Sequence, residues 1–139
     1  MRTMVFLSNL ILAALAVSDP YPSSAVQWGA SQMQMIDQPV TSFAIGPRNV
    51  AAVLEDGSVV TWGSGTTLNG KQRFTKPVRK VSISNTRAYA VLEDSTLTGW
   101  GAIGEWHWPI PDDLGKVVDV SVDENFVVAL RPDGSLRAW

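Results

Sequence analysis

Hydrophobic and polar positions fall into two regimes along this chain. Met4 to Val17 is an apolar run broken only by Ser8 and Asn9, whereas from Val40 onward apolar segments of about six residues alternate with polar turns. The first run is shorter than the roughly 20 residues a bilayer-spanning helix needs, so no stable membrane span is expected. With Arg2 ahead of it and small residues at Ala14, Ala16 and Ser18, residues 1–18 have the form of an export signal peptide. A buried apolar strand or helix, or a misassigned start, would give the same run. On the first reading the protein is secreted or exported; otherwise it is cytoplasmic or nuclear.

The second regime repeats itself. Ala25-Val26-Gln27-Trp28-Gly29, Val59-Val60-Thr61-Trp62-Gly63, Leu97-Thr98-Gly99-Trp100-Gly101 and Leu136-Arg137-Ala138-Trp139 align, their tryptophans 34, 38 and 39 positions apart. Upstream of the last three lie Leu54-Glu55-Asp56-Gly57-Ser58, Leu92-Glu93-Asp94-Ser95-Thr96 and Leu130-Arg131-Pro132-Asp133-Gly134-Ser135, with Leu54, Leu92 and Leu130 spaced by 38. Further upstream, Val40-x-x-Phe43-x-Ile45, Val78-x-x-Val81-x-Ile83 and Val117-x-x-Val120-x-Val122 keep the same order. This divides the chain into a linker with the end of a degenerate repeat (19–39), repeat 1 (40–77), repeat 2 (78–116) and a shortened repeat 3 (117–139).

Each unit translates into strands. Phe43 and Ile45 and their counterparts alternate with small or polar residues, the period of a strand. Val50–Leu54, Ala88–Leu92 and Phe126–Leu130 are nearly continuous apolar runs, which predicts strands covered on both faces. The Asp-Gly pairs that follow favour tight hairpins because glycine takes positive φ without steric cost. Ser95 replaces that glycine in repeat 2, which predicts a strained turn or one of another type. Each Trp-Gly supplies an indole to fill space between layers and a glycine for close backbone approach. Ser64–Pro77 and Ala102–Lys116 read as connecting loops. Units of about 38 residues with three or more strands predict an all-β propeller; a small β-sandwich is the alternative, and it lacks a fixed repeat.

The series apolar strand, Leu-x-Asp-Gly-Ser, three residues beginning with Val or Leu, and Trp-Gly, as in Leu54 to Gly63, resembles the repeat of the regulator of chromosome condensation 1 superfamily. That superfamily comprises seven-bladed propellers and includes the β-lactamase inhibitory proteins of the same architecture. The resemblance covers Val40 to Trp139 and the Trp28 segment. Its usual His-Ser before the Ala-Leu of the strand is absent, since Val50-Ala51, Ala88-Tyr89 and Phe126-Val127 stand there. The glycine-glutamine loop element survives only as Gly70-Lys71-Gln72 and Gly104-Glu105. The resemblance implies protein binding through loops, with nucleotide exchange on a small GTPase as an alternative. It also implies an incomplete, open arc of about three or four blades, which further repeats in cis or self-association would close. A fragment of a larger protein, such as a repeat-bearing ubiquitin ligase, fits the same observation.

Composition narrows the chemistry. Cysteine is absent and His107 is the one histidine, which removes disulfides, thiol catalysis, zinc ribbons and multi-histidine metal sites. A net charge of −2 argues against a nucleic-acid binder. No phosphate-cradling glycine loop is present, and no cofactor is expected. Asp112 and Asp113 are adjacent, so in extended chain they point apart and cannot flank one substrate bond. Asp56, Asp94 and Asp133 recur with the repeat, which argues turn geometry rather than catalysis.

Two of the six tryptophans, Trp106 and Trp108, are not repeat markers. They lie in Glu105-Trp106-His107-Trp108, within a predicted loop where propellers place binding residues. Both indoles fit a protein hot spot, a sugar-stacking surface, or packing between blades. Between Asp56 and Glu93 every charged residue is basic, so Lys71 and Arg73 join Glu105, Trp106, His107 and Trp108 as candidate contacts for a partner. A solvated loop is the alternative for that basic run. The reading is a non-catalytic protein-interaction module, with a carbohydrate-binding propeller as its rival.

Overall fold

The computed structural model describes residues 36, 38–64, 68–102 and 109–139. The 1–18 segment, Trp28 and the Glu105–Trp108 cluster lie outside the described residues. Every described element is a β-strand. In chain order these are β1 (Val40–Ile45), β2 (Asn49–Leu54), β3 (Val59–Gly63), β4 (Gly70–Gln72), β5 (Val78–Ile83), β6 (Arg87–Leu92), β7 (Leu97–Gly101), β8 (Asp119–Val122), β9 (Val127–Leu130) and β10 (Leu136–Ala138). They form three antiparallel sheets, β1-β2-β3-β4, β5-β6-β7 and β8-β9-β10, which are propeller blades 1, 2 and 3.

The sheets share one register. Phe43 pairs with Ala52, Val81 with Ala90 and Val120 with Ala129; Ile45, Ile83 and Val122 then face Val50, Ala88 and Val127. A register shift after Val40 recurs after Val78. Because side chains alternate along a strand, each blade has a leading face toward the blade before it and a trailing face toward the blade after it.

Those faces make the core. Ala51, Val53 and Val59 on the trailing face of blade 1 meet Val81, Ile83, Ala88 and Ala90 on the leading face of blade 2, with Leu68 among them. Tyr89 and Val91 of blade 2 meet Val120, Val127 and Ala129 of blade 3 in the same manner. Residues of β2 and β6 are buried throughout, so both faces of those strands are used. Each fully buried Val, Leu or Tyr-sized side chain contributes about 1.5–3 kcal/mol of transfer free energy. The indole of each described repeat tryptophan lies on a leading face: Trp62 in the cluster with Val40, Val50 and Ile36, Trp100 against the blade 1–2 core, Trp139 against the blade 2–3 core. Trp100 tilts against Phe74 at 5.4 Å, and Trp139 meets Tyr89 edge-on at 6.2 Å.

The structure departs from the sequence reading in three places. The Ser64–Pro77 segment contains a strand, β4, which pairs Lys71 with Val60 and Gly70 with Thr61. Its composition is that of a loop, and only pairing to β3 makes it extended. In β9 burial alternates instead of being complete, because no described blade covers its trailing face. Finally, Leu130 pairs with Leu136 as Val53 pairs with Val59, so Arg131 stands where blades 1 and 2 have Leu54 and Leu92.

Candidate functional site

The blades have two ends with different chemistry. At one end lie the turns between second and third strands. The Asp56 carboxylate accepts hydrogen bonds from the Ser58 amide at 2.9 Å and from the Ser58 hydroxyl. Asp94 accepts from the Thr96 amide at 3.1 Å and hydroxyl at 2.6 Å, and Asp133 from the Ser135 amide at 2.9 Å and hydroxyl at 2.7 Å. A short acceptor two residues ahead of its donor closes the turn locally. These bonds favour the carboxylate anion. For Asp56 and Asp133 the serine hydroxyl bond is the leading cause of a lowered pKa; for Asp94 it is the Lys76 ammonium, followed by Thr96.

The third turn position has positive φ in all three blades: 75° at Gly57, 68° at Ser95 and 83° at Gly134. Ser95 therefore keeps the glycine conformation and carries its strain. Gly57 could not be replaced so simply, since a Cβ there would lie 2.4 Å from Cβ of Pro77. The carbonyl of this position links blades: Gly57 accepts from the Val78 amide at 3.0 Å, and Ser95 from the Val117 amide at 2.8 Å.

The basic run is distributed among these turns. Lys71 lies 3.5 Å and Arg73 3.9 Å from the Asp56 carboxylate, Lys76 lies 2.5 Å from Asp94, and Lys80 lies 2.6 Å from Asp119 of the next blade. Lys71 and Arg73 thus converge on one turn. All four pairs are substantially exposed, so they orient side chains more than they stabilise the fold. A recess of about 370 Å³ opens beside the Asp94 turn, lined by Leu97, Ile110, Pro111, Leu114 and Lys116. Among the described residues no three acidic or histidine side chains converge to hold a metal ion.

At the opposite end lie the hairpins between first and second strands, where buried polar side chains reach across blades. The Asn49 amide donates to the carbonyls of Ser84 at 3.2 Å and Asn85 at 2.8 Å in the β5–β6 hairpin. One blade later, the Arg87 guanidinium donates to the carbonyl of Asp123 at 3.0 Å and to that of Glu124. The backbone N–H of Asn85 also donates to the Glu124 carboxylate at 2.9 Å. Asn49 and Arg87 directly precede the apolar runs at Val50 and Ala88, and their shared repeat position was the available signal for this role. Here too the Trp-Gly glycines meet neighbouring backbone: a Cβ on Gly63 would lie 2.1 Å from the Arg48 carbonyl oxygen, and one on Gly101 2.4 Å from that of Thr86.

Of the candidate contacts, Lys71 and Arg73 are therefore on the Asp56 turn, while Glu105, Trp106, His107 and Trp108 lie outside the described residues. The flanks of that cluster are placed. The Ala102 amide donates to the Thr86 carbonyl at 2.9 Å, at the hairpin end, and Ile110 packs on the blade 2–3 core.

Neither protein-family models nor curated proteins give a match to this chain. Solved structures do. Human WBSCR16 is 20% identical with a TM-score of 0.62, over 78% of this chain and 35% of its own. The CRINKLY WD40 ectodomain of the Arabidopsis thaliana receptor kinase ACR4 is 17% identical with a TM-score of 0.64, over 82% and 42%. Prp20p of Saccharomyces cerevisiae is 15% identical with a TM-score of 0.56, over 72% and 33%. The chain spans well under half the length of each of these proteins. At these identities the likeness is one of fold: the chain has the fold of RCC1-like propeller blades.

Proposed function

We propose that this chain is a non-catalytic protein-interaction module in which RCC1-like blades hold partner-binding loops at fixed positions. The carrying observation is the cross-blade anchoring at the hairpin end by Asn49 and Arg87, together with the fixed flanks of the 103–108 segment. A partner meeting loops on such a frame loses less conformational freedom on binding. Trp106 and Trp108 are the anchors in this reading, since buried indoles dominate protein interfaces, and Lys71 and Arg73 are rim charges. Prp20p has been solved bound to Kap60, and its binding to Gsp1p and histones was examined with its structure, so this fold supports protein recognition elsewhere. That shared fold also favours a second reading, exchange activity toward a small GTPase.

Affinity capture with the wild-type chain and with the Trp106→Ala/Trp108→Ala double variant tests the proposal. A protein retained by the wild type and weakened at least about tenfold, near 1.4 kcal/mol, by the double variant supports it. Equal retention overturns the role of the indoles, and glycan binding lost on the same substitutions replaces the reading with a carbohydrate one. Accelerated nucleotide release from a small GTPase would establish the second reading.

A further inference from the structure

The turn end carries a recess at both blade junctions, in the same place of the repeat. One, of about 170 Å³, lies beside the Asp56 turn, and its lining includes Asp56, Ser58, Arg73, Phe74, Lys76 and Pro77. The other is the recess of about 370 Å³ beside the Asp94 turn. Ser58, Thr75 and Pro77 in the first stand at the repeat positions of Thr96, Leu114 and Lys116 in the second. Each recess is bordered by the hydrogen bond that joins its two blades, from the Val78 amide to Gly57 and from the Val117 amide to Ser95.

Different residues at the shared positions give the two recesses different chemistry. Arg73 in the first corresponds to Asp112 in the second, and Lys76 to Gly115. Around the first, Lys71 and Arg73 share the Asp56 carboxylate at 3.5 and 3.9 Å while Lys76 takes Asp94, so three cations meet two carboxylates. The Arg73 side chain is 75% exposed, which leaves its guanidinium able to take a second carboxylate. Glu55 is exposed on the same turn but lines neither recess. Phe74 tilts onto Trp100 and walls the first recess. Its counterpart Asp113 pairs with Arg137 at 3.2 Å and stays out of the second recess, which is the larger. The walls there are Leu97, Ile110, Pro111 and Leu114, and the Lys116 ammonium is held by the Asp94 carbonyl at 2.7 Å.

We infer that the turn end binds one extended segment of a partner protein, with an acidic side chain at the first recess and an aliphatic side chain in the second. Charge complementarity carries the first half: the surplus of cations around Arg73 favours a carboxylate and rejects a like charge. Size and lining carry the second half, because four apolar walls around about 370 Å³ fit an aliphatic group. The recesses occupy the same place at successive junctions, so a single chain crossing the blades meets both. The inference rests on the protein-interaction reading for the nature of the partner, and on no property of Trp106 or Trp108.

The test titrates the full, isotope-labelled chain with synthetic peptides followed by amide resonances. The peptides carry an aspartate-glutamate block, a leucine block, or both joined in either order by Gly-Ser spacers of increasing length. At its best spacer the joined peptide is expected to bind at least about tenfold more tightly than either block alone, since the second contact becomes intramolecular. The Ser58, Thr75 and Lys76 amides are expected to shift with the acidic block, and those of Leu97, Leu114 and Gly115 with the leucine block. Lys71→Ala/Arg73→Ala is expected to abolish the first set of shifts and Ile110→Ser the second, each reducing the joined peptide to the affinity of one block. Circular dichroism and thermal unfolding establish that the variants are folded; should Ile110→Ser not fold, Pro111→Ser takes its place. An absence of shifts, joined and single-block peptides of equal affinity, equal binding when lysines replace the acidic block, or variants that bind as the wild type does would each overturn the inference. Partner capture that depends on Trp106 and Trp108 leaves these outcomes unchanged, so the two readings fail separately.

Discussion

Ser95 and its neighbour Asp94 show how one repeat position is held by different means in different blades. Gly57 and Gly134 reach positive φ freely, whereas Ser95 adopts φ 68° with a Cβ in place. Lys116 takes the place that Pro77 has beside Gly57, and its ammonium donates to the Asp94 carbonyl at 2.7 Å. Ser95→Gly is expected to stabilise the chain by about 1 kcal/mol, the left-handed strain relieved less the added backbone freedom of glycine. Gly57→Ala is expected to cost about 2–4 kcal/mol, because it adds the same strain and a clash with Pro77. Urea unfolding of both variants measures the contrast, and equal effects would refute it. Asp94 sets a pH dependence. Its folded-state pKa is depressed below the ordinary 3.8 by the Lys76 hydrogen bond and then by Thr96. The unfolded carboxylate therefore takes up a proton first as pH falls, so this contribution is full above pH 3.8 and is lost progressively below it. Asp94→Asn is expected to flatten the acid limb of a stability-versus-pH titration; an unchanged limb would show that the bond to Lys76 does not persist in solution.

At the scale of strands, the contacts that join blades divide into those a sequence displays and those it conceals. The runs at Val50 and Ala88 are legible because burial on both faces demands uninterrupted apolar residues, and the Asp-Gly turns are legible because few residues accept positive φ. β4 is not legible: Gly70-Lys71-Gln72 has no apolar alternation and is extended only because β3 offers an edge. Nor does the basic run reveal its partners, since Lys76 finds Asp94 and Lys80 finds Asp119 from other strands. Lys71 and Arg73 were legible as a charged pair in sequence, but their convergence on Asp56 depends on the return of the chain at β4. Asn49 and Arg87 are the costliest to miss, because they look like ordinary polar residues at strand starts. Asn49→Ala is expected to destabilise by about 1–3 kcal/mol, and Arg87→Met by about 3 kcal/mol, as buried hairpin carbonyls lose their donors. Hydrogen exchange should quicken first in the β5–β6 hairpin for the former and the β8–β9 hairpin for the latter. Uniform quickening across all blades would argue against a local grip.

For the whole molecule, the decisive property is that blade 1 packs on blade 2 and blade 2 on blade 3, through separate clusters of side chains. Stability then behaves as a sum of blade terms and nearest-neighbour terms, and a weakened interface detaches the blades beyond it. Val127 and Val53 are both fully buried, one in each interface. Val127→Ala is expected to cost about 2 kcal/mol, as loss of two buried methyl groups does, and to open β8–β10 to hydrogen exchange while β1–β3 stay protected. Val53→Ala should reverse the order and expose β1–β3 first. Leu136→Ala, at an exposed position, should change stability by no more than about 0.5 kcal/mol. If Val127→Ala instead loosened all three blades together at equal rates, the chain would be one cooperative unit rather than a stack.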